Sequence, residues 1–236
     1  MTCTVDFQSR DEKVGGKPCL VCSTPHPEVL LVQPSGRHER RNGGLEREAA
    51  AIAADSGTGF VLAAFDTGEW ARALMPWADD AVSHNGDVGL CAADTLSYLT
   101  DTLLPWLSIR YGNLPVVIGG YSLGALFALW AARQVGCFDG VAAASPSLWI
   151  RGWSDYGEKH CVKSRQVYLS LGNREEHCRN QRMAQIGQCV RREYALLTSR
   201  MGTDNVVLEW NKGGHFGEEA VRTARAFVWN IMKMRR

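Results

Sequence analysis

Short, uninterrupted apolar runs alternate with longer helical stretches along most of this chain. Runs such as Phe60–Phe65 are rich in Val, Leu, Ile, Phe and Ala, which is typical of strands buried on both faces. Six strands are predicted on this basis: Val29–Gln33, Phe60–Phe65, Pro115–Gly120, Gly140–Ala144, Gln166–Leu171 and Val206–Trp210. We expect Pro34 to end the first of them, because proline lacks a backbone N–H.

Helical patterns lie between these runs. The predicted helices are Leu45–Ala54, Asp94–Leu107, Leu123–Gln134, Met183–Met201 and Glu218–Met234, and we expect Pro105 to bend or end the second. Strands alternating with helices of this length indicate an α/β fold, a mostly parallel sheet with helices on both faces. In such sheets, ligands bind at the carboxyl ends of the strands.

Length and composition favour one domain over residues 1–236. The 236 residues are 45% hydrophobic and 22% charged, and no linker or repeat divides them. Residues 1–27 look irregular or peripheral, apart from a short strand at Cys19–Cys22. The polar start Met1–Lys17 has no apolar core of a signal peptide, so we expect a cytoplasmic protein.

The charge balance argues against nucleic-acid or membrane partners. The net charge is +1, and the short cluster Arg37, Arg40 and Arg41 is interpreted as a solvated loop. No run approaches the roughly 20 apolar residues that a transmembrane helix needs. The expected partner is a small molecule, and the oligomeric state stays open.

The eight cysteines are expected to be free thiols, with Cys91 and Cys137 buried among apolar neighbours. Cys19–Cys22 forms a C-x-x-C pair, and His160-Cys161 or His177-Cys178 could add zinc ligands. Nothing in their spacing brings them together. We therefore predict no metal and no cofactor.

The segment Gly120-Tyr121-Ser122-Leu123-Gly124 carries the strongest chemical signal. It matches G-x-S-x-G between an apolar strand and an apolar helix, a turn that exposes a nucleophilic serine above the sheet. We predict Ser122 as the nucleophile. The N–H of Leu123, at the start of the helix, is expected to stabilise the oxyanion.

A nucleophilic serine needs a histidine base and an acid, in the chain order Ser, acid, His. His215, flanked by glycines, follows the last predicted strand and is the candidate base. The loop after the preceding strand offers Glu175 and Glu176, either of which could orient the imidazole. The second oxyanion donor should follow Val29–Gln33, where Ser35 or Gly36 is the candidate.

Aromatic residues are the candidates for the substrate pocket. Four of the eight tryptophans, Trp70, Trp77, Trp149 and Trp153, follow the carboxyl ends of predicted strands. Some of these should line the pocket, and we take Trp70, Trp149 and Tyr121 as substrate-binding candidates.

With these residues placed, the chain resembles the putative esterase family of α/β hydrolases, in its esterase D-like and enterochelin-esterase-like branch. The resemblance rests on four blocks: Gly119–Leu129, Ala144–Trp149, Leu169–Glu176 and Trp210–Phe216. It implies an α/β-hydrolase fold, a Ser-His-acid triad and hydrolysis of acyl esters or thioesters without a metal. Relatives often carry Gly-x-x-Glu after the acid strand, which selects Glu175.

Two departures from the family pattern concern the substrate side. Larger members have His-Gly where this chain has Gln33-Pro34, and the region before that strand is short enough to lack one or two early antiparallel strands. With no long insertion, we expect little or no lid, with residues 149–164 as a small cap. The leading hypothesis is a serine esterase or thioesterase; the alternatives are an acyltransferase or a catalytically silent binding protein.

Overall fold

A single eight-stranded sheet forms the centre of the computed structural model, which describes residues 6–36, 42–82 and 91–235. Its strands are β1 Gln8–Val14, β2 Lys17–Ser23, β3 Val29–Ser35, β4 Phe60–Asp66, β5 Val116–Tyr121, β6 Gly140–Ala144, β7 Gln166–Gly172 and β8 Val206–Asn211. The spatial order is β1-β2-β4-β3-β5-β6-β7-β8. β3 to β8 run parallel, whereas β1 and β2 are antiparallel to their neighbours. The predicted mostly parallel sheet is confirmed.

Helices cover both faces of this sheet. They are α1 Gly44–Ser56, α2 Trp70–Leu74, α3 Ala92–Tyr98, α4 Leu104–Tyr111, α5 Leu123–Gln134, α6 Trp153–Lys159, α7 Ile186–Met201 and α8 Glu219–Met234. Helices α1 and α8 pack against each other over one face, and the others bury their apolar residues on the opposite face. No helix within the described ranges is long and apolar enough to cross a membrane.

Strand β4 shows why its sequence is apolar throughout. Val61, Ala63 and Phe65 pack into the core on one side of the sheet. The alternate residues Phe60, Leu62 and Ala64 pack into the core on the other side. Successive side chains of a strand point to opposite faces, so both sets of side chains are buried in a strand that is covered on both sides, and both sets are apolar.

Residues 6–27 are more regular than predicted. Instead of one short strand they form the β1–β2 hairpin, which turns at Gly15 and Gly16 with φ of 54° and 84°. The early antiparallel strands that the short N-terminal region seemed to lack are therefore present. Strand β1 is almost entirely exposed, so its polar sequence carries no burial pattern.

Two prolines do not end their elements. Strand β3 continues through Pro34 to Ser35, because the pairing of β3 with β5 ends at Val32 and the missing N–H lies beyond that ladder. Pro105 does not end its helix either. A π-helical segment, Leu99–Leu103, precedes it, and α4 begins with Pro105 in its first turn.

The cysteine predictions had mixed outcomes. Cys137 is exposed and Cys91 only partly buried, so neither is the buried thiol that was expected; Cys137 lies in the surface loop after α5. The seven cysteines in the described part of the chain are all free thiols. The cluster Arg37, Arg40 and Arg41 falls outside the described residues.

Candidate active site

Ser122 lies on a sharp turn between β5 and α5. Its backbone has φ 57° and ψ −116°, a strained conformation for a residue with a side chain. Gly120, at φ 152°, makes the turn possible, since a Cβ there would lie 2.9 Å from the carbonyl carbon of Gly124. This turn places the Ser122 side chain in the lining of a cavity at the carboxyl end of the sheet.

His215 follows β8 and reaches back over the sheet to Ser122. Its Nε2 lies 2.9 Å from the Ser122 Oγ, and its Nδ1 lies 2.7 Å from Oε2 of Glu175. The three side chains come from loops after three different strands. The parallel sheet brings these loops together because the carboxyl ends of its strands share one edge.

Glu175 begins a short 3₁₀ turn after β7 and is buried. Its second oxygen, Oε1, accepts hydrogen bonds from the Ser145 hydroxyl and the Gly172 N–H, both at 2.7 Å. Burial raises the pKa of Glu175, but the hydrogen bond and charge of His215, with those two donors, outweigh it and hold the pKa below its ordinary value. The carboxylate is therefore ionised at neutral pH.

Glu176, the other candidate acid, points to a different partner. Both of its oxygens accept hydrogen bonds from Arg191, at 3.0 and 3.3 Å. The hydrogen bond from Arg191 lowers the pKa of Glu176 more than its slight burial raises it. Only Glu175 of the two is bonded to His215.

The cavity beside Ser122 has a volume of about 1010 Å³ and mostly apolar walls. Its apolar lining comprises Trp70, Val82, Leu123, Trp149, Met183, Ile186 and Phe216. Of the predicted tryptophans, Trp70 and Trp149 are lining residues, as is Tyr121. Trp77 and Trp153 stack on each other instead, with ring centroids 6.2 Å apart.

The candidate oxyanion donors separate in the structure. Leu123 opens α5 and lines the cavity. Ser35 is completely buried within β3 and does not line it, whereas the next residue, Gly36, does. The first N–H groups of a helix have no partner within the helix, so α5 presents a donor beside Ser122.

The outer wall of the cavity is fixed by a charged cluster of Asp79, Asp80, Arg151 and Arg182. The Asp79 carboxylate accepts hydrogen bonds from the N–H of Arg151 at 2.8 Å and from the Arg182 guanidinium. Arg182 also bonds Asp80 at 2.9 Å. This cluster ties together the three segments that carry Val82, Trp149 and Met183.

Three polar residues at the site had no predicted role. Ser145 donates a hydrogen bond to Glu175, and so does Arg222, on the oxygen that does not contact His215. The Ser147 Oγ lies 3.2 Å from the Ser122 Oγ. The two serines follow the β6 strand and so occupy a carboxyl-end position that could have suggested them. Arg222 lies on the buried face of α8 with Ala226 and Phe227. A charged residue four or five positions before the apolar ones of a buried helix face is the sequence feature that could have indicated its role.

No group of three or more His, Cys, Asp or Glu side chains in the described ranges is arranged to hold a metal ion. Cys19 and Cys22 are buried in β2, and Cys161 and Cys178 are exposed in separate loops. The side chains that the structure joins at the cavity are Ser122, His215 and Glu175, with the first N–H groups of α5 beside them.

Comparison with protein families identifies the chain's relatives. Residues 40–218 match the family described as Putative esterase. The chain belongs to this esterase family. The match includes Ser122, Glu175 and His215, and the class of chemistry that goes with the family is ester hydrolysis. A comparison with curated proteins gives no match.

Solved structures of similar fold are hydrolases and esterases of low sequence identity. An IroE-like serine hydrolase from Shewanella oneidensis has a TM-score of 0.71 at 11% identity, covering 95% of this chain and 79% of its own. The siderophore hydrolase EstA from Aspergillus nidulans has a TM-score of 0.62 at 16% identity, covering 98% and 94%. The enterobactin esterase FES from Shigella flexneri also has 0.62 at 16%, covering 98% and 60%. These likenesses confirm the α/β-hydrolase fold.

Proposed function

We propose that this member of the Putative esterase family is a serine esterase or thioesterase that works through an acyl-enzyme on Ser122. The observation that carries the proposal is the continuous hydrogen-bond chain from Ser122 through His215 to Glu175, which opens on the cavity. A serine hydroxyl is a weak nucleophile alone, and a hydrogen-bonded imidazole is the group that activates it.

In the first half-reaction, the Ser122 Oγ attacks the carbonyl carbon of the substrate while His215 Nε2 accepts its proton. Glu175 holds the Nδ1–H and stabilises the imidazolium without taking the proton. His215 then gives its proton to the leaving alcohol or thiol as the carbonyl–leaving-group bond breaks, which leaves the acyl group on Ser122. Water, activated by the same imidazole, releases the acid and restores the Ser122 hydroxyl.

The negative charge that develops on the carbonyl oxygen needs donors already in place. The Leu123 N–H is the first proposed donor. For the second, the lining of the cavity favours the Gly36 N–H over Ser35. Trp70, Trp149 and Tyr121 are proposed to contact the acyl or alcohol part of the substrate.

The test is hydrolysis of p-nitrophenyl esters from acetate to octanoate by wild type and Ser122→Ala. We expect turnover with the wild type, extending to octanoate because the cavity is large and apolar, and a loss of about 10⁶-fold in Ser122→Ala. Ser199→Ala, on the exposed side of α7, is the matched control and should keep full activity. Unchanged turnover in Ser122→Ala would rule out this nucleophile.

Two further assays separate the alternatives. A fluorophosphonate probe should label wild type at Ser122, and a catalytically silent binding protein would not label. An acyltransferase would label but would give more transfer product than acid when an alcohol or amine acceptor is added.

The predicted cytoplasmic location is a separate proposal, tested by fractionating cells that express the chain.

A further inference from the structure

Arg222 is a buried arginine beside the proposed triad. It lies in the first turn of α8, and its side chain is only 2% exposed. A buried guanidinium is costly unless its N–H groups and its charge find partners. The hydrogen-bond acceptors of its guanidinium therefore indicate the role of Arg222.

Four acceptors surround the guanidinium, three in the loops that carry Glu175 and His215 and one at the end of β5. Nη1 donates to the Gly214 carbonyl at 2.9 Å, to the Tyr121 hydroxyl at 3.1 Å and to Oε1 of Glu175 at 3.3 Å. Nη2 donates to the Lys212 carbonyl at 2.9 Å. The Tyr121 hydroxyl in turn donates to the His215 carbonyl at 2.7 Å. One side chain thus bonds the acid and the backbone that precedes the histidine, and it reaches the His215 carbonyl through the Tyr121 hydroxyl.

The two oxygens of Glu175 have separate tasks in this arrangement. Oε2 accepts only from His215 among the described residues, at 2.7 Å. Oε1 accepts from Ser145, the Gly172 N–H and Arg222. Three donors on one oxygen prevent the carboxylate from rotating, so the other oxygen stays aimed at His215.

We propose that Arg222 is a positioning residue that holds the Glu175 carboxylate and the 212–215 loop in the arrangement that directs Glu175 Oε2 at His215. This inference rests on the proposed function. Arg222 does not line the cavity, so it acts through Glu175 and His215 rather than on the substrate.

Other ionisable side chains also lie near His215. Tyr121, whose ring centroid lies 5.3 Å from that of His215, stays neutral, since burial raises its pKa to about 12. Arg174, Cys178 and Glu219 share the lining of the cavity with His215. None of these three is hydrogen-bonded to Glu175, whereas Arg222 bonds the Glu175 carboxylate directly.

The test compares Arg222→Met and Arg222→Lys with Arg225→Met. Arg225 lies on the same helix, is half exposed and bonds Asn211, so it is a matched control for losing an arginine from α8. For Arg222→Met we expect kcat to fall about 10²-fold, with KM within twofold, because the reacting groups lose their alignment.

Arg222→Lys keeps the charge but cannot serve four acceptors with one ammonium group. We expect its kcat to fall about tenfold, in line with the loss of part of the alignment. Arg225→Met should match wild type in kcat and KM. A purely structural role for Arg222 would lower thermal stability and leave kcat per folded active site unchanged, which would overturn the inference.

A readout without turnover separates this inference from the proposed function. The proton on Nδ1 of a histidine bonded to a carboxylate gives a low-field NMR signal, which we expect in wild type and in Arg225→Met but not in Arg222→Met. If wild type neither hydrolyses esters nor labels with fluorophosphonate, the proposed function fails, and the NMR signal still decides on Arg222. If Arg222→Met does not fold, wild-type kcat in folded Arg222→Lys would overturn the inference.

Discussion

The hydroxyl oxygen of Ser147 lies 3.2 Å from that of Ser122. Ser122 therefore has two side-chain partners, His215 on one side and Ser147 on the other. The Ser147 N–H also donates to the Ser122 carbonyl at 3.2 Å, so the loop after β6 is bonded to the turn that carries Ser122. A second partner restricts rotation of the Ser122 side chain to the orientation that faces His215.

Replacing Ser147 by alanine should slow acylation without abolishing it. Loss of one neutral hydrogen bond of about 1 kcal/mol corresponds to a decrease of roughly fivefold in kcat/KM. The rate of fluorophosphonate labelling measures this step directly, with Ser199→Ala as the control. A labelling rate equal to that of wild type would show that Ser147 does not orient Ser122.

Glu175→Gln and Glu176→Gln should differ by orders of magnitude in activity. Glutamine at 175 keeps the shape but cannot stabilise the imidazolium, so kcat should fall about 10⁴-fold. Glu176→Gln removes only the ion pair with Arg191, whose side chain is half exposed, so kcat should stay within twofold. Ester hydrolysis by the two purified variants is the measurement, and equal losses would contradict the assignment of the acid.

Asp79 should make the stability of the protein depend on pH in the acid range. Burial raises the pKa of Asp79, but the N–H groups of Arg151 and Ala81 and the Arg182 side chain outweigh it and lower the pKa below its ordinary value. A lowered folded-state pKa stabilises the protein above the unfolded-state value of about 3.9, and this stabilisation is lost as the pH falls through the folded-state value.

Thermal unfolding of wild type and Asp79→Asn between pH 7 and pH 3 measures this contribution. We expect wild type to unfold at the higher temperature at neutral pH and the difference to shrink as the pH falls below about 4. Because Asp79 holds the outer wall of the cavity, Asp79→Asn should also discriminate less between short and long acyl esters. A temperature difference that is constant with pH would rule out the ionised Asp79 as its source.

Gly119 should not tolerate a methyl group. A Cβ at this position of β5 would lie 2.5 Å from Cζ of Phe227 on α8 and 2.9 Å from the Cβ of Ala142. Overpacking of this kind costs about 1–3 kcal/mol. Gly119→Ala should therefore unfold at a temperature lower by roughly 2–4 °C for each kcal/mol lost. Gly136→Ala, where the nearest atom is 3.9 Å away, is the control, and equal melting of both variants would contradict the packing argument.

The parts of the fold buried on both faces were predictable from the sequence. Residues 60–65 of β4 and residues 123–132 of α5 are buried throughout, so these stretches are apolar without interruption. The β1–β2 hairpin was only partly predicted, since β1 is almost entirely exposed and its pairing is a relation between two strands. The continuation of β3 through Pro34 likewise depends on where its neighbour β5 ends.

For the site, the sequence by itself determined which chemistry is available and in what chain order. The turn around Ser122 needs small residues at fixed local spacing, and such a local requirement can be recognised from a few consecutive residues. The residues of the loop left Glu175 and Glu176 both open, and only the family resemblance favoured Glu175. The tertiary structure bonds Glu175, and not Glu176, to His215, and it alone brings Arg222 to the other oxygen of Glu175. Adjacent residues in a loop point in different directions, and their partners lie tens of residues away, so these choices follow from how the strands and helices are packed.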